Sequence, residues 1–389
     1  MFAANPLVRD TGSPPIPEAQ AWLKLYGGAR GPAIDLSQAV PGYPAHEGML
    51  ERLAAAAGSA ACAGYGPIMG DAPLREAYAA HLSDIYGATV RPAETAITAG
   101  CNQAFVTVMI ALAKAGDAVL LPAPWYFNHA MTLRMLGIEA RPLPCRAEDG
   151  MLPDPVEAER LIDGRTKALV LVTPNNPTGA VCPPERIAAL AEVCRRKDIR
   201  LVVDETYRDF LPDTGVPPHR LFEDPAWGER VVSLYSFSKS YCIPGHRAGA
   251  ITAGEGLMAE IAKLLDCIQI CAPRPAQAAL AWAIPALAEW RAGNRDVILR
   301  RAEAFRRAFE ALPGWRIETL GAYFAYATHP FPGRLSGEVV RDLASERGVL
   351  ALPGPFFGPG QKGHLRIAFA NADETALGML PERLAGFAI

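Results

Sequence analysis

Between about residues 46 and 277 short apolar runs alternate with helical patterns, and no other feature constrains the fold of this chain as strongly. The runs at 96–99, 118–121, 168–173, 200–203, 231–234 and 248–252 have the length of strands. Helical patterns such as 103–113 and 185–196 lie between them, each bounded by glycine, proline or a polar cap. Strand and helix in alternation predict an α/β domain with a mainly parallel sheet covered on both faces. Such sheets bind ligands outside the carboxyl ends of their strands, so the residues just after each run become the candidates for chemistry.

The flanks read differently. Residues before about Asp35 are rich in glycine and proline around one short helical piece, an arm rather than a domain. After Gln277 come long helical patterns, with Asn294 as a break before a helix at 295–311, and then short strands at 315–320, 324–327 and 364–370. The expected division is therefore a large α/β domain over 46–277, with 1–45 and 278–389 forming the arm and a smaller α+β domain. A length of 389 residues suits two or three domain-sized units.

At the end of the run 231–234 the chain reads Tyr235-Ser236-Phe237-Ser238-Lys239-Ser240, with Arg247 eight residues beyond the lysine. Ser236 and Ser238 carry hydroxyl donors, and the planar fork of Arg247 suits a phosphate dianion. Lys239 between them is an amine able to form an imine. A lysine held beside a bound phosphate is what pyridoxal phosphate chemistry requires, although an exposed lysine in a polar loop is the plain alternative for this stretch taken alone.

Other strand ends are equally marked. Gly100-Cys101-Asn102 opens a helix, where backbone N–H groups and the helix dipole favour phosphate. Trp125-Tyr126-Phe127 supplies three consecutive aromatics, with His129 close behind. Asn175-Asn176-Pro177-Thr178-Gly179 follows the run at 168–173, and Asp204 follows 200–203 with Tyr207 three residues later. A carboxylate at such a place can keep a pyridine nitrogen protonated, because an opposite charge in a site of low dielectric favours the charged form of its partner. Arg366 stands in an apolar run, where a guanidinium is seldom left unpaired.

Taken together, S-x-S-K with an arginine eight residues on, the N-P-T-G loop, the D-E-T-Y segment, the glycine turn before Gln103-Ala104 and the R-I pair at Arg366-Ile367 resemble the class I/II pyridoxal-phosphate aminotransferases, the aspartate aminotransferase-like group of fold type I. The resemblance runs from about Leu36 to Arg366. It implies a fold-type-I transferase whose sheet is of the seven-stranded type, with pyridoxal 5'-phosphate as cofactor. By the same resemblance Gly100, Cys101, Asn102, Ser236, Ser238 and Arg247 hold the phosphate, and Tyr126, or Trp125 one residue earlier, stacks on the ring. His129 supports Asp204 beneath the ring, Asn176 and Tyr207 donate to the phenolic oxygen, and Lys239 is the imine-forming base. Arg366 takes the substrate carboxylate. Ala39 stands where the family carries a glycine close to that carboxylate, so the pocket is expected to differ there.

Two further residues belong to an expected homodimer with shared sites. In the family a Y-G-P-x-x-G turn crosses the two-fold interface, which would bring Tyr65 to the partner's cofactor phosphate. Arg274 lies in a loop that reaches the neighbouring site in the family; it is expected either to pair with an acidic substrate side chain or to be a surface residue.

Composition narrows the alternatives. Hydrophobic residues at 50% and charged residues at 20% describe a globular chain, and a net charge of -3 without a basic block argues against nucleic acid as a partner. The eight cysteines form no C-x-x-C pair and the seven histidines no ligand cluster, so reduced thiols and no metal are expected. No run is long enough to span a bilayer and the amino terminus lacks a leader pattern, which makes cytoplasmic residence the default and a membrane an unexpected partner. The expected activity is amino transfer between an L-amino acid and a 2-oxo acid by a ping-pong mechanism. A carbon–sulfur β-lyase on the same fold is the alternative that motifs serving the cofactor do not exclude. A ligand-sensing module is the alternative from another class, and no basic helix-turn-helix pattern precedes Leu36 to favour it.

Overall fold

The structure is a computed structural model and describes residues 4–387. Strand β1 (Ile34–Asp35) comes first. Seven further strands, β2 (Thr95–Thr98), β3 (Ala118–Ala123), β4 (Glu139–Pro144), β5 (Thr166–Val172), β6 (Arg200–Asp204), β7 (Val231–Ser236) and β8 (Gly249–Thr252), form one sheet in the order β2-β8-β7-β6-β5-β3-β4. Every neighbouring pair is parallel except those made by β8, which runs antiparallel to both β2 and β7. Strands β2, β3, β7 and β8 are buried at every residue. Apolarity without alternation in these runs is thus the mark of a sheet covered on both faces.

One strand of this sheet has no counterpart among the runs read from the sequence. Strand β4 spells Glu-Ala-Arg-Pro-Leu-Pro and lies at the sheet edge, paired with β3 alone. Its prolines, which lack an N–H for a second ladder, are tolerated only there. The strands already expected begin or end up to two residues from the predicted bounds.

The second sheet uses β9 (Arg316–Gly321), β10 (Phe324–Thr328), β12 (Leu352–Pro353) and β13 (His364–Ile367) in the antiparallel order β12-β13-β10-β9, while β11 (Val349–Leu350) pairs in parallel with β1. The strand expected over 364–370 stops at Ile367, because Ala368 N turns to Leu36 O at 2.8 Å and a short turn follows. The break expected at Asn294 is absent: one helix, Ala288–Glu310, runs straight through it. An asparagine costs a helix interior only a fraction of a kcal/mol, on the order of 0.5, and burial of Ile298, Phe305 and Phe309 outweighs that. Residue 277, the expected domain boundary, falls inside the helix Arg274–Ala286, whose Leu280 and Ala283 share a core with Leu74 and Tyr78 of the helix Ala72–Tyr86. Among the described residues no helix is long and apolar enough to cross a membrane, and no group of His, Cys, Asp and Glu could hold a metal ion.

Candidate active site

A cavity of about 420 Å³ lies at the carboxyl ends of β5, β6 and β7, and Asn176, Asp204, Tyr207, Lys239, Arg247 and Arg366 all line it. The topology explains the convergence: parallel neighbours end side by side, so Asn176, Asp204 and Lys239, far apart in the chain, meet at one rim. Arg366 enters from the other side on β13.

At one end the cavity is suited to a dianion. Gly100 caps the helix Cys101–Leu112 with φ of +86°, a backbone state that favours glycine, and a Cβ there would run into the guanidinium of Arg247. The first N–H groups of a helix have no partner within it, and Cys101 and Asn102 at this helix start line the same cavity as Ser236, Ser238 and Arg247. Ser236 is the last residue of β7; its hydroxyl accepts from Ser238 N at 3.3 Å, while Arg247 Nη1 donates to Pro244 O at 2.9 Å. The Cys101 thiol is pushed well above its ordinary range by burial and then by the nearby Asp204 charge, so it stays a neutral thiol.

In the middle stands Asp204, the final residue of β6 and nearly inaccessible to solvent. Its Oδ1 accepts from Thr206 N at 3.1 Å and from Thr206 Oγ1 at 2.7 Å. Its Oδ2 lies 3.4 Å from His129 Nε2, and the His129 ring stacks on Phe105 with centroids 3.9 Å apart. The carboxylate is therefore clamped on both oxygens. Thr206 went unnoticed in the sequence, although a threonine two residues after an aspartate is the spacing at which a side chain caps its own turn. Of the two candidate aromatics, Tyr126 lines the cavity, its hydroxyl accepting from Asn128 Nδ2 at 2.8 Å, whereas the Trp125 ring packs against Gly358 and its main-chain N–H donates to Phe357 O at 2.8 Å. Burial raises the Tyr126 phenol to about 12 and carries the Tyr207 phenol higher still, so both remain hydrogen-bond donors.

The loop after β5 holds itself together. Asn175 Oδ1 accepts from Thr178 N at 3.1 Å and from Thr178 Oγ1 at 3.0 Å. That leaves Asn176 turned to the cavity, where its Oδ1 accepts from Arg366 Nη1 at 3.2 Å. Thr319 Oγ1 of β9 donates to Thr178 O at 2.7 Å, which ties this loop to the smaller sheet.

Lys239 lies in the short helix Phe237–Ser240 immediately after β7, and its Nζ donates to Ala39 O. Burial, then the positive charges of Arg366 and Arg247, lower its ammonium from an ordinary 10.5 to about 8. Arg366 is 1% exposed, its Nη2 donates to Ser37 O, and its Nε has no partner. Burial lowers its pKa to about 10, and the guanidinium sits 5.1 Å and 5.0 Å from the ring centroids of Phe324 and Phe357. Ala39 is buried in the loop above the lysine. Three cations against one carboxylate make the cavity a receptor for two anionic groups, one at each end. Ile16, Val40, Phe127, Val172 and Pro244, with the polar Gln38, are further parts of its wall and were not singled out in the sequence, since nothing about an isolated apolar or amide side chain marks it as facing a ligand.

Tyr65 and Arg274 do not line the cavity of their own chain. Tyr65 is 81% exposed. Arg274 Nε reaches Asp71 Oδ2 at 3.3 Å and its Nη1 reaches Ala61 O, so it braces the turn that carries Tyr65.

A profile of the family described as aminotransferase class I and II matches residues 32–384. An aromatic aminotransferase of Arabidopsis thaliana is 30% identical over 358 residues, which cover 90% of this chain and 88% of that protein. The arginine–pyruvate transaminase of Pseudomonas aeruginosa is 30% identical over 313 residues, covering 80% and 79%. Among solved structures, the aspartate aminotransferase of Thermus thermophilus with maleate superposes with a TM-score of 0.90 at 26% identity, covering 99% of each chain.

Proposed function

The chain belongs to the class I and II aminotransferases and is an aminotransferase, and from that premise we propose that it moves an amino group from an L-amino acid to a 2-oxo acid through the cavity that Lys239 and Arg366 share. The family works with pyridoxal phosphate, and the donor set here fits that group. The Gly100 cradle that a Cβ would close on Arg247, and the two hydroxyls of Ser236 and Ser238, suit its phosphate. When bound, the cofactor supplies an electron sink that makes the α-hydrogen of an attached amino acid acidic.

Asp204, oriented by Thr206 and His129, would keep a proton on the ring nitrogen. Asn176 and Tyr207 would donate to the phenolic oxygen, and Tyr126 would lie against the ring face. Lys239 takes the proton from the substrate α-carbon and returns one on the opposite leg of the reaction; its lowered pKa gives a useful neutral fraction near physiological pH. Arg366, with Nε free, binds the substrate α-carboxylate as a fork. Ala39 narrows the same pocket by one methyl. Amino acid and oxo acid use this single cavity in turn, which gives ping-pong kinetics.

We further propose a homodimer in which the exposed Tyr65 and the turn braced by Arg274 reach the partner's site. The proposed division is a large domain over 46–277 and a smaller part made of 1–45 and 278–389, with the helix Arg274–Ala286 packed on the large domain.

The observation that supports the reading most is the meeting of a buried amine of lowered pKa with a buried, half-satisfied guanidinium in one cavity. A screen of purified, cofactor-loaded protein against amino acids paired with pyruvate, oxaloacetate and 2-oxoglutarate tests it. Parallel initial-rate lines for at least one pair are expected; no transfer with any pair would reject it.

A further inference from the structure

Two adjacent carbonyls of one loop are held by different parts of the molecule. Gly42 O accepts from Arg301 Nη2 at 3.1 Å, while Tyr43 O accepts from the thiol of Cys242, three residues after Lys239, at 2.8 Å. Arg301 sits 5% exposed in the helix Ala288–Glu310, and its Nη1 donates to Ala370 O at 2.7 Å, just beyond the strand that carries Arg366. Upstream, the loop is tied to the same strand end. Asp35 O accepts from Asn371 Nδ2 at 2.6 Å, Leu36 O from Ala368 N at 2.8 Å, and Ser37 O from Arg366. Residues 35–37 and 42 are therefore tied to the end of β13, while Ala39 O and Tyr43 O are tied to the lysine side.

Between these ties lie Gln38, Ala39 and Val40, which form one wall of the cavity. Ala39 O meets Lys239 Nζ. A Cβ on Gly42 would run into Arg301 Nη1 and approach Ala370 O to 2.9 Å and Asn371 O to 3.0 Å, so the chain is pressed against both the guanidinium and the strand end at the place where Arg301 grips it. A buried guanidinium that bonds only main-chain oxygens, with Nε unpartnered, is a poor way to gain stability, because desolvation offsets most of what the bonds return. It is a good way to fix two segments relative to each other.

We propose that Arg301 is a positioning residue for substrate binding: by bridging Gly42 O and Ala370 O it locks the Gln38–Val40 wall to the strand of Arg366, so that the carboxylate pocket is formed before the substrate arrives. Only the substrate part of this inference rests on the aminotransferase reading.

The test compares Arg301→Met and Arg301→Lys with the wild-type holoenzyme, using the best amino donor from the substrate screen and hydrogen exchange of the peptide covering residues 35–43. Arg301→Met is expected to raise KM by about tenfold or more, the scale of one charged hydrogen bond, with kcat changed less than about threefold. Its 35–43 peptide should exchange faster while the peptide around Lys239 does not. Arg301→Lys, which can keep one of the two bonds, should fall between. Gly42→Ala puts a Cβ against Arg301 Nη1 and the strand end, so it dislodges the guanidinium and the loop from the other side and should show the same split. Unchanged KM and unchanged exchange with only a lower melting temperature would make Arg301 structural and overturn the proposal, as would a loss confined to kcat. If wild type transfers no amino group, the aminotransferase reading fails by itself, and the exchange comparison still decides whether Arg301 holds the loop.

Discussion

Arg366 Nη1 donates to Asn176 Oδ1 at 3.2 Å, joining strand β13 of the smaller sheet to the loop after β5 of the larger one. The Arg366 guanidinium is thus set by both parts of the molecule. Arg366→Lys keeps the charge but loses the planar fork and the bond that spans the parts. Steady-state kinetics should show KM for the amino donor raised roughly a hundredfold, the scale of a lost charge-assisted pair, with cofactor absorbance unchanged. An unchanged KM would remove Arg366 from the carboxylate site.

Asp204 is held by Thr206 on one oxygen and by His129 on the other. Asp204→Ala should lose about 3 kcal/mol or more of barrier reduction, the scale of a preorganised charge, while keeping its cofactor. Thr206→Val removes only the hydroxyl contact and should cost about tenfold in kcat. Near-normal turnover of Asp204→Ala, measured with cofactor content, would reduce this carboxylate to a turn cap.

The low pKa of Lys239 has a consequence for stability. In the cofactor-free chain the folded amine titrates near 8 and the unfolded one near 10.5, so below pH 8 both states are protonated and the folded state carries the whole cost of burying the charge. As pH rises from 8 to 10.5 the unfolded chain binds more protons, and stability increases by about 3 kcal/mol from this group. Denaturant unfolding of apo wild type and Lys239→Met across that window should converge on the wild type gaining relative to the variant. Parallel pH profiles would show that the amine is not desolvated.

Tyr65, 81% exposed, is the residue whose placement a single chain explains least. If it serves the partner's site, mixing Lys239→Ala with Tyr65→Ala under subunit exchange produces a hybrid with one doubly defective and one intact site. Activity should rise above that of either parent. No recovery after verified exchange would assign Tyr65 to its own chain or to none.

The strands whose burial is complete were legible, because residues covered on both faces leave a largely apolar run, as at 118–121 within Ala118–Ala123. Edge strand β4 was not, since its prolines read as loop until the sheet edge that tolerates them is known. Asn294 misled for the opposite reason: local propensity was overridden by the packing of Ile298 and Phe305. In the cavity, residues with distinctive chemistry at strand ends, such as Asp204 and Lys239, announced themselves. Thr206 was passed over although its spacing to Asp204 is local, and Arg301, outside the cavity wall, left no signal because its bonds go to two carbonyls far away in the chain. Long-range main-chain partners leave no mark in local sequence.

The most direct test of amino transfer is a single turnover with cofactor-loaded protein, one amino acid and no oxo acid. Rapid quenching should yield about one equivalent of 2-oxo acid per subunit, no ammonia, and a cofactor spectrum that returns only when a second oxo acid is added, while Lys239→Ala yields none. Ammonia and oxo acid accumulating well beyond one equivalent without an acceptor would contradict the account and identify a lyase.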